Sequence, residues 1–168
     1  MDVTSEILDL VDENDVIIGE VERRIANADP TKLHREIGVI LVDNKKRVLL
    51  QRRSLKKKIH PGLWILSAAG HVPQGMDPMK AAYKELLEEL GFDTKLTFVE
   101  KFLNTYEHER NFAYLYSGQY KGENIILDPS ESEAVILVNR SEIVSLQKQE
   151  LIEPVSAKYS LRLLDSLS

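Results

Sequence analysis

Gly70-His71-Val72-Pro73-Gln74-Gly75-Met76-Asp77-Pro78-Met79-Lys80-Ala81-Ala82-Tyr83-Lys84-Glu85-Leu86-Leu87-Glu88-Glu89-Leu90-Gly91-Phe92 is the stretch on which the fold turns. Its second half reads as one short helix. Pro78 suits a first helical turn, where its missing N–H costs little. Asp77 stands in the capping position before it, and Gly91 is a natural stop. Met79, Ala82, Leu86 and Leu90 form an apolar stripe for the buried side. Separations of three and four residues bring Glu85 beside both Glu88 and Glu89. Three carboxylates so close repel one another, so a positive group is expected among them. Hard divalent cations take carboxylate oxygens, and Mg²⁺ is commonly shared with substrate phosphates. The bland alternative is a solvated acidic face; the glycine-rich run that precedes the helix favours the metal.

Upstream of this stretch, Glu6 to Val11 reads as a strand, Asp12 to Asp15 as a turn, and Val16 to Ile18 as a second strand segment closed by Gly19. Glu20 to Ala26 fits either helix or strand, and Asn27 to Pro30 is a loop. His34 to Val42 is a strong strand with a turn at Asp43-Asn44-Lys45-Lys46, and Arg47 to Gln51 returns. Arg52-Arg53-Ser54-Leu55-Lys56-Lys57-Lys58 then carries five positive charges. That run is either a solvated loop or a device that draws phosphates toward the carboxylate helix. Pro61-Gly62 turns the chain into Leu63-Trp64 and the approach to Gly70. Downstream, Lys95 to Asn104 and Asn111 to Tyr120 are strands, Lys121 to Pro129 is turn-rich, and Ala134 to Asn139 is the last strand. A short helix starts near Ser141. A closing helix runs from Glu150, interrupted by Pro154, with Leu161, Leu163, Leu164 and Leu167 on its apolar face.

The chain has 168 residues, 43% of them hydrophobic and 29% charged, which suits one soluble domain spanning residues 1–168. A net charge of −5 offers no broad basic footprint, so polymeric nucleic acid is not an expected partner. There is no cysteine, hence neither a disulfide framework nor a thiol nucleophile. No apolar run is long enough to span a bilayer, and Met1 to Glu6 lacks the charge pattern of a signal peptide, so a cytoplasmic location without membrane association is the default expectation.

The quoted stretch resembles the Nudix box of the Nudix hydrolases. Gly70, Lys84-Glu85, Leu86, Glu88-Glu89, Gly91 and Phe92 stand at the separations of that pattern. It departs at two positions: Met76 replaces the first glutamate and Lys84 replaces the arginine. The resemblance implies a Nudix α/β/α sandwich around a mixed β-sheet and MutT-like cleavage of a diphosphate in a small molecule. It implies Mg²⁺ or Mn²⁺ as cofactor, held by Glu85, Glu88, Glu89 and the Gly70 carbonyl. A homodimer is a family-based expectation.

Similarity extends from about residue 7 to about residue 145 toward the branch that groups isopentenyl-diphosphate isomerase with hydrolase relatives. Its landmarks are Leu10 to Asp15, Leu33-His34-Arg35, Leu49 to Arg53 and His60 to Trp64. The isomerases place a cysteine just before the Gly-His of this region, where this chain has Ala69. His34 and His71 match two of their metal-binding histidines, Asn27 stands at the third such position, Glu109 matches one later glutamate, and Asn111 replaces the other. The missing thiol and altered ligands favour the hydrolase branch over the isomerase.

A hydrolase of this kind needs the diphosphate charge neutralised and a water aimed at phosphorus. Besides Glu85, Glu88 and Glu89, the candidate catalytic carboxylates are Glu109 and Glu131, with Glu107 and Glu133 behind them. Arg52, Arg53, His71 and Lys84 are candidate phosphate or orienting groups; Lys84 supplies a point charge without the rigid fork of arginine. A thioether at Met76 is a poor ligand for Mg²⁺, so weakened catalysis, or a non-catalytic nucleotide binder, is the cost expected there. Trp64 is expected as a packing or pocket-wall residue. Tyr106, Phe112, Tyr114 and Tyr116 recur at even positions, so they divide between core and pocket.

Overall fold

The computed structural model describes residues 6–168; positions 1–5, most of the stretch read for a targeting signal, lie outside it. The elements run β1 (Ile7–Val11), β2 (Ile17–Glu22), α1 (Arg23–Ala26), β3 (His34–Val42), β4 (Val48–Arg53), β5 (Trp64–Ile65), β6 (Ala68–His71), α2 (Pro78–Leu90), β7 (Leu96–Thr105), β8 (Arg110–Gln119), β9 (Ser132–Val138), α3 (Arg140–Lys148) and α4 (Pro154–Ser166).

β3 is the axis of the sheet. One edge pairs in parallel with β8 along its whole length, from His34 opposite Asn111 to Val42 opposite Gln119. The other edge is shared. Leu41 and Val42 pair with Leu49 and Val48 of β4, while Glu36 to Val39 pair with His71 to Ala68 of β6. β3 and β4 therefore part after two residue pairs, with β5 on β4 and β6 on β3 filling the gap. Ser67 sits where the strands divide: its hydroxyl donates to the Leu49 carbonyl at 2.5 Å and accepts from Leu41 N–H at 2.8 Å.

A strand buried on both faces reads as a near-continuous apolar run, and β3 does. Ile37, Val39 and Leu41 pack with Ala81, Ala82, Leu86 and Leu90 of α2. Ile40 and Val42 face the opposite layer, with Ile143 of α3 and Ala157, Tyr159 and Leu164 of α4. This is the expected α/β/α arrangement around a mixed sheet. Leu86 and Leu90 are fully buried, each contributing about 2 kcal/mol. Helix α2 has the anticipated ends: the Asp77 carboxylate accepts from Met79 and Lys80 N–H, and Gly91 takes the left-handed conformation at φ 80°. Ala81 joins the buried face, while Met79 is only partly covered.

The β1–β2 hairpin lies across the start of β3 and the 72–75 segment, through Val11 N–H to the Leu33 carbonyl and Gln74 N–H to the Ile7 carbonyl. The ambiguous Glu20–Ala26 segment is strand to Glu22 and a single helical turn thereafter. One expectation is reversed. Pro154 does not interrupt the last helix but begins it, with the Glu153 carboxylate accepting from Val155 and Ser156 N–H. At the first helical position the missing N–H has no partner to lose. Among the described residues no helix is long and apolar enough to cross a membrane.

Candidate metal and phosphate site

Gly70 on β6 lies directly against α2. A Cβ there would collide with the Glu85 side chain, whose Cγ and Oε1 would both be 2.8 Å away. Only glycine lets this carboxylate rest on the strand backbone. One turn later, Glu89 enters the gap between β4 and β6. Its Oε2 accepts from Gln51 Nε2 at 2.5 Å and from Ala69 N–H at 3.2 Å. Lys84 stands outside the pair, with Nζ 3.1 Å from Glu88 and 3.6 Å from Glu85. It pairs with two of the box carboxylates from the position where the box pattern has arginine. Met76 is packed against the α2 core cluster and brings no charge to the group.

The electrostatics of this face disfavour negative charge on both carboxylates at once. Burial, opposed by Lys84 and assisted by Glu88, pushes the Glu85 carboxyl up to about 7. Burial and then the neighbouring Glu85 push Glu89 up to about 8. Two buried carboxyls beside each other hold protons at neutral pH unless positive charge is supplied to them, and a divalent ion would supply it.

A second group is built on the neighbouring residue of the same strand. His71 lies opposite Glu36 in the β3–β6 register, and His34 is two residues before Glu36 on the same face of β3. With Glu109, the residue just before β8, these residues offer four ligand atoms all within 4.8 Å of one another. His34 Nδ1 donates to the Lys32 carbonyl at 3.0 Å. Its Nε2 is fully buried, 3.7 Å from Glu109 and 3.9 Å from Glu36 and without a hydrogen-bond partner. Burial lowers the His34 pKa, but Glu36, the Lys32 carbonyl and Glu109 outweigh it and raise the value above that of a free imidazole. His71 Nε2 donates to Asn27 Oδ1 at 2.8 Å and faces Glu36 at 3.2 Å, leaving Nδ1 unpartnered. The two rings stack with centroids 5.4 Å apart. Burial holds His71 down to about 3, so it is neutral. Burial and the nearby Glu36 push Glu109 up to about 7. Two imidazoles and two carboxylates gathered within this distance fit a cation, and two nitrogens with two oxygens suit Zn²⁺, Mn²⁺ or Fe²⁺ better than Mg²⁺.

The expected residues thus divide. Gly70, Glu85, Glu88 and Glu89 come together with Lys84. His71 and Glu109 belong to the histidine group instead. Glu131 acts electrostatically on Glu89 and is paired with Lys57 at 2.5 Å. Glu133 accepts from Leu55 N–H at 3.2 Å, and Glu107 is exposed. Arg52 and Arg53 spend their Nε–H groups on the Gly62 and Ile59 carbonyls, fixing the basic loop. Arg23, paired with Glu6 at 3.0 Å, is felt by Glu85, Glu36 and Glu109 alike. Trp64 is half-buried against the α4 core cluster. Gln51 and Glu36 were not legible as site residues; both are polar residues inside strongly apolar strands, which is the signal they carried.

Residues 32–161 match the NUDIX domain family. The chain belongs to the Nudix family. Among curated Nudix relatives, the isopentenyl-diphosphate Delta-isomerase of Streptomyces coelicolor is 34% identical over 152 residues, covering 86% of this chain and 76% of that one. The Streptomyces griseus enzyme of the same name is 38% identical over 120 residues, covering 67% of this chain and 60% of that one. Among solved structures, the Deinococcus radiodurans protein DR0079 superposes with a TM-score of 0.81 at 21% identity, over 94% of this chain and 98% of that one. A MutT protein from Methanosarcina mazei gives 0.69 at 19% identity, over 82% and 95%. The structural likenesses carry the Nudix fold alone.

Proposed function

We propose that this Nudix protein is a divalent-metal-dependent pyrophosphohydrolase acting on a nucleoside diphosphate linked to another moiety, or on a related small diphosphate. The observation that carries this reading is the approach of Glu85 and Glu89 to the backbone of Ala69 and Gly70, with both carboxyls raised in pKa. Glu85, Glu88, Glu89 and the Gly70 carbonyl would hold Mg²⁺ or Mn²⁺. Such an ion, when bound, neutralises diphosphate charge and makes a bound water more acidic.

The chain's own groups supply the rest. Lys84 restrains Glu85 and Glu88. Glu131, whose charge adds to the upward shift of Glu89, and Glu109 are the candidate carboxylates outside the box to accept a proton from an attacking water. Lys57, paired with Glu131, brings positive charge to the same edge, and Arg52 and Arg53 hold the loop that carries it. Met76 leaves the ligand load to the three helix glutamates.

A second reading, an isopentenyl-diphosphate isomerase-like enzyme, is favoured by the His34–Glu36–His71–Glu109 group and by the names of the curated relatives. Against it stand Ala69 at the position before Gly70-His71 and the absence of any cysteine. Asn111, buried with an unpartnered Nδ2, occupies a further acidic position of that chemistry. Product-resolved turnover with Mg²⁺ and Mn²⁺ on nucleoside di- and triphosphates, ADP-ribose, sugar nucleotides, dinucleoside polyphosphates and isopentenyl diphosphate separates the readings. Metal-dependent phosphate release lost in E89Q supports the hydrolase. Dimethylallyl diphosphate as product overturns it.

A further inference from the structure

Gln51 is fully buried in β4, past the point where β3 and β4 part, and all its polar atoms are committed. Nε2 donates to the Ser67 carbonyl at 3.1 Å and to Glu89 Oε2 at 2.5 Å. Oε1 accepts from the Ser132 hydroxyl at the start of β9. These partners fix the direction of the amide. A carbonyl oxygen cannot donate, so the atom facing Ser67 must be the NH₂; a flipped amide would set two oxygens against each other. Ser132, itself buried, completes the arrangement by donating to the remaining oxygen.

We propose that Gln51 is a positioning residue for Glu89, with Ser132 holding its amide in the donating orientation. The proposal rests on the reading of Glu89 as a metal ligand. Glu89 sits in a gap between strands, where a carboxylate without partners would have rotamers to choose from. Two donors, Gln51 Nε2 and Ala69 N–H, converge on the single oxygen Oε2. The carboxylate is thereby held in one rotamer and its other oxygen, Oε1, is left for the cation. Outer partners of this kind orient metal ligands, and their loss typically weakens metal binding by a factor of ten or more. A glutamine with no such role would serve only to plug the gap, and its replacement would alter stability without altering the ion.

The test uses Mn²⁺ alone as the probe, followed by electron paramagnetic resonance, with melting in EDTA recorded in parallel. E89Q identifies the Mn²⁺ signal that belongs to this site. Q51M keeps the side-chain length and removes the donor; S132A removes one hydroxyl. The expected result is Mn²⁺ affinity weaker by about tenfold in Q51M and by about threefold in S132A, with a changed Mn²⁺ line shape in Q51M. Wild-type affinity and line shape in a folded Q51M overturn the proposal even where its melting temperature has dropped. Where Q51M does not fold, S132A decides by the same readout: weakened binding supports the proposal and unchanged binding overturns it. If the wild type shows no Mn²⁺ signal that E89Q removes, the reading of the site itself fails, which is a distinct result and takes the proposal with it.

Discussion

The Glu85 carboxylate occupies the space that a side chain on Gly70 would take. Strand β6 and helix α2 touch at this point, and the contact holds a charged group where a core would hold an apolar one. Gly70→Ala should expel Glu85 from the strand backbone. The expected outcome is Mn²⁺ affinity weaker by at least about tenfold, with overpacking costing about 1–3 kcal/mol of stability. A Mn²⁺ titration beside a urea unfolding curve reads both; wild-type affinity in G70A would show that Glu85 is not a ligand.

Glu85 and Glu89 also give the metal-free protein a pH dependence of definite sign. Their carboxyls stand at about 7 and about 8, above the ordinary value of about 4.3 in an unfolded chain. The folded state therefore holds protons that the unfolded state has released. Stability in EDTA is highest below about pH 5 as far as these groups are concerned, and falls as pH rises toward about 8. A divalent ion replaces those protons, so the melting-temperature gain on adding Mg²⁺ should grow over the same range. Melting curves with EDTA and with Mg²⁺ from about pH 5 to about pH 9 check this. A Mg²⁺ gain that is flat with pH would contradict it.

What the sequence displayed was local. Asp77, Pro78 and Gly91 announce the ends of α2 through backbone chemistry within a few residues, and the even and odd positions of β3 announce two buried faces. The site's supports are not local. Gln51 meets Glu89 across 38 residues and Ser132 across 81, and a glutamine in an apolar strand gives no hint of its partner. Glu36 acquires its meaning only when β6 pairs with β3 and sets His71 opposite it. Pro154 misled because proline both breaks helices and begins them. The choice depended on Glu153, whose capping carboxylate looks on paper like any surface charge.

Asp15 was legible as a turn residue and is much more. Its side chain is 4% exposed and meets Arg35 Nε at 2.6 Å, Lys101 Nζ at 3.0 Å and the Tyr114 hydroxyl. Burial raises its pKa, but hydrogen bonds from Tyr114, Arg35 and Lys101 outweigh that and hold the carboxyl below its usual value. Its contribution to stability is therefore present above the unfolded carboxylate value of about 3.9 and is lost as pH falls through the folded value. Asp15→Asn leaves Arg35 without its counter-charge and should cost about 3 kcal/mol. Urea unfolding at neutral pH measures this, and a loss within about 0.5 kcal/mol of zero would mark the cluster as a surface ornament.

The histidine group makes the last prediction, and its logic is the charge drawn to His34. His34 Nε2 has no hydrogen-bond partner, yet it is buried 3.7 Å from one carboxylate and 3.9 Å from another. Burial lowers the His34 pKa, but the two carboxylates and the Lys32 carbonyl outweigh it, so this position draws positive charge, which a proton supplies in the metal-free protein and a divalent ion would supply in its place. Co²⁺, a stand-in whose d–d absorption reports its ligands, should bind this group and show bands absent from the free ion. His34→Gln should weaken that binding by at least about tenfold, and Glu36→Gln should weaken it less, because an amide oxygen still reaches the ion. Glu89→Gln should leave the bands in place, since Glu89 is bonded to Gln51 and Ala69 N–H and is not among the four residues of this group. Bands that vanish in E89Q and survive in H34Q would mean that the box glutamates hold the cobalt and that the histidine pair is a packing arrangement.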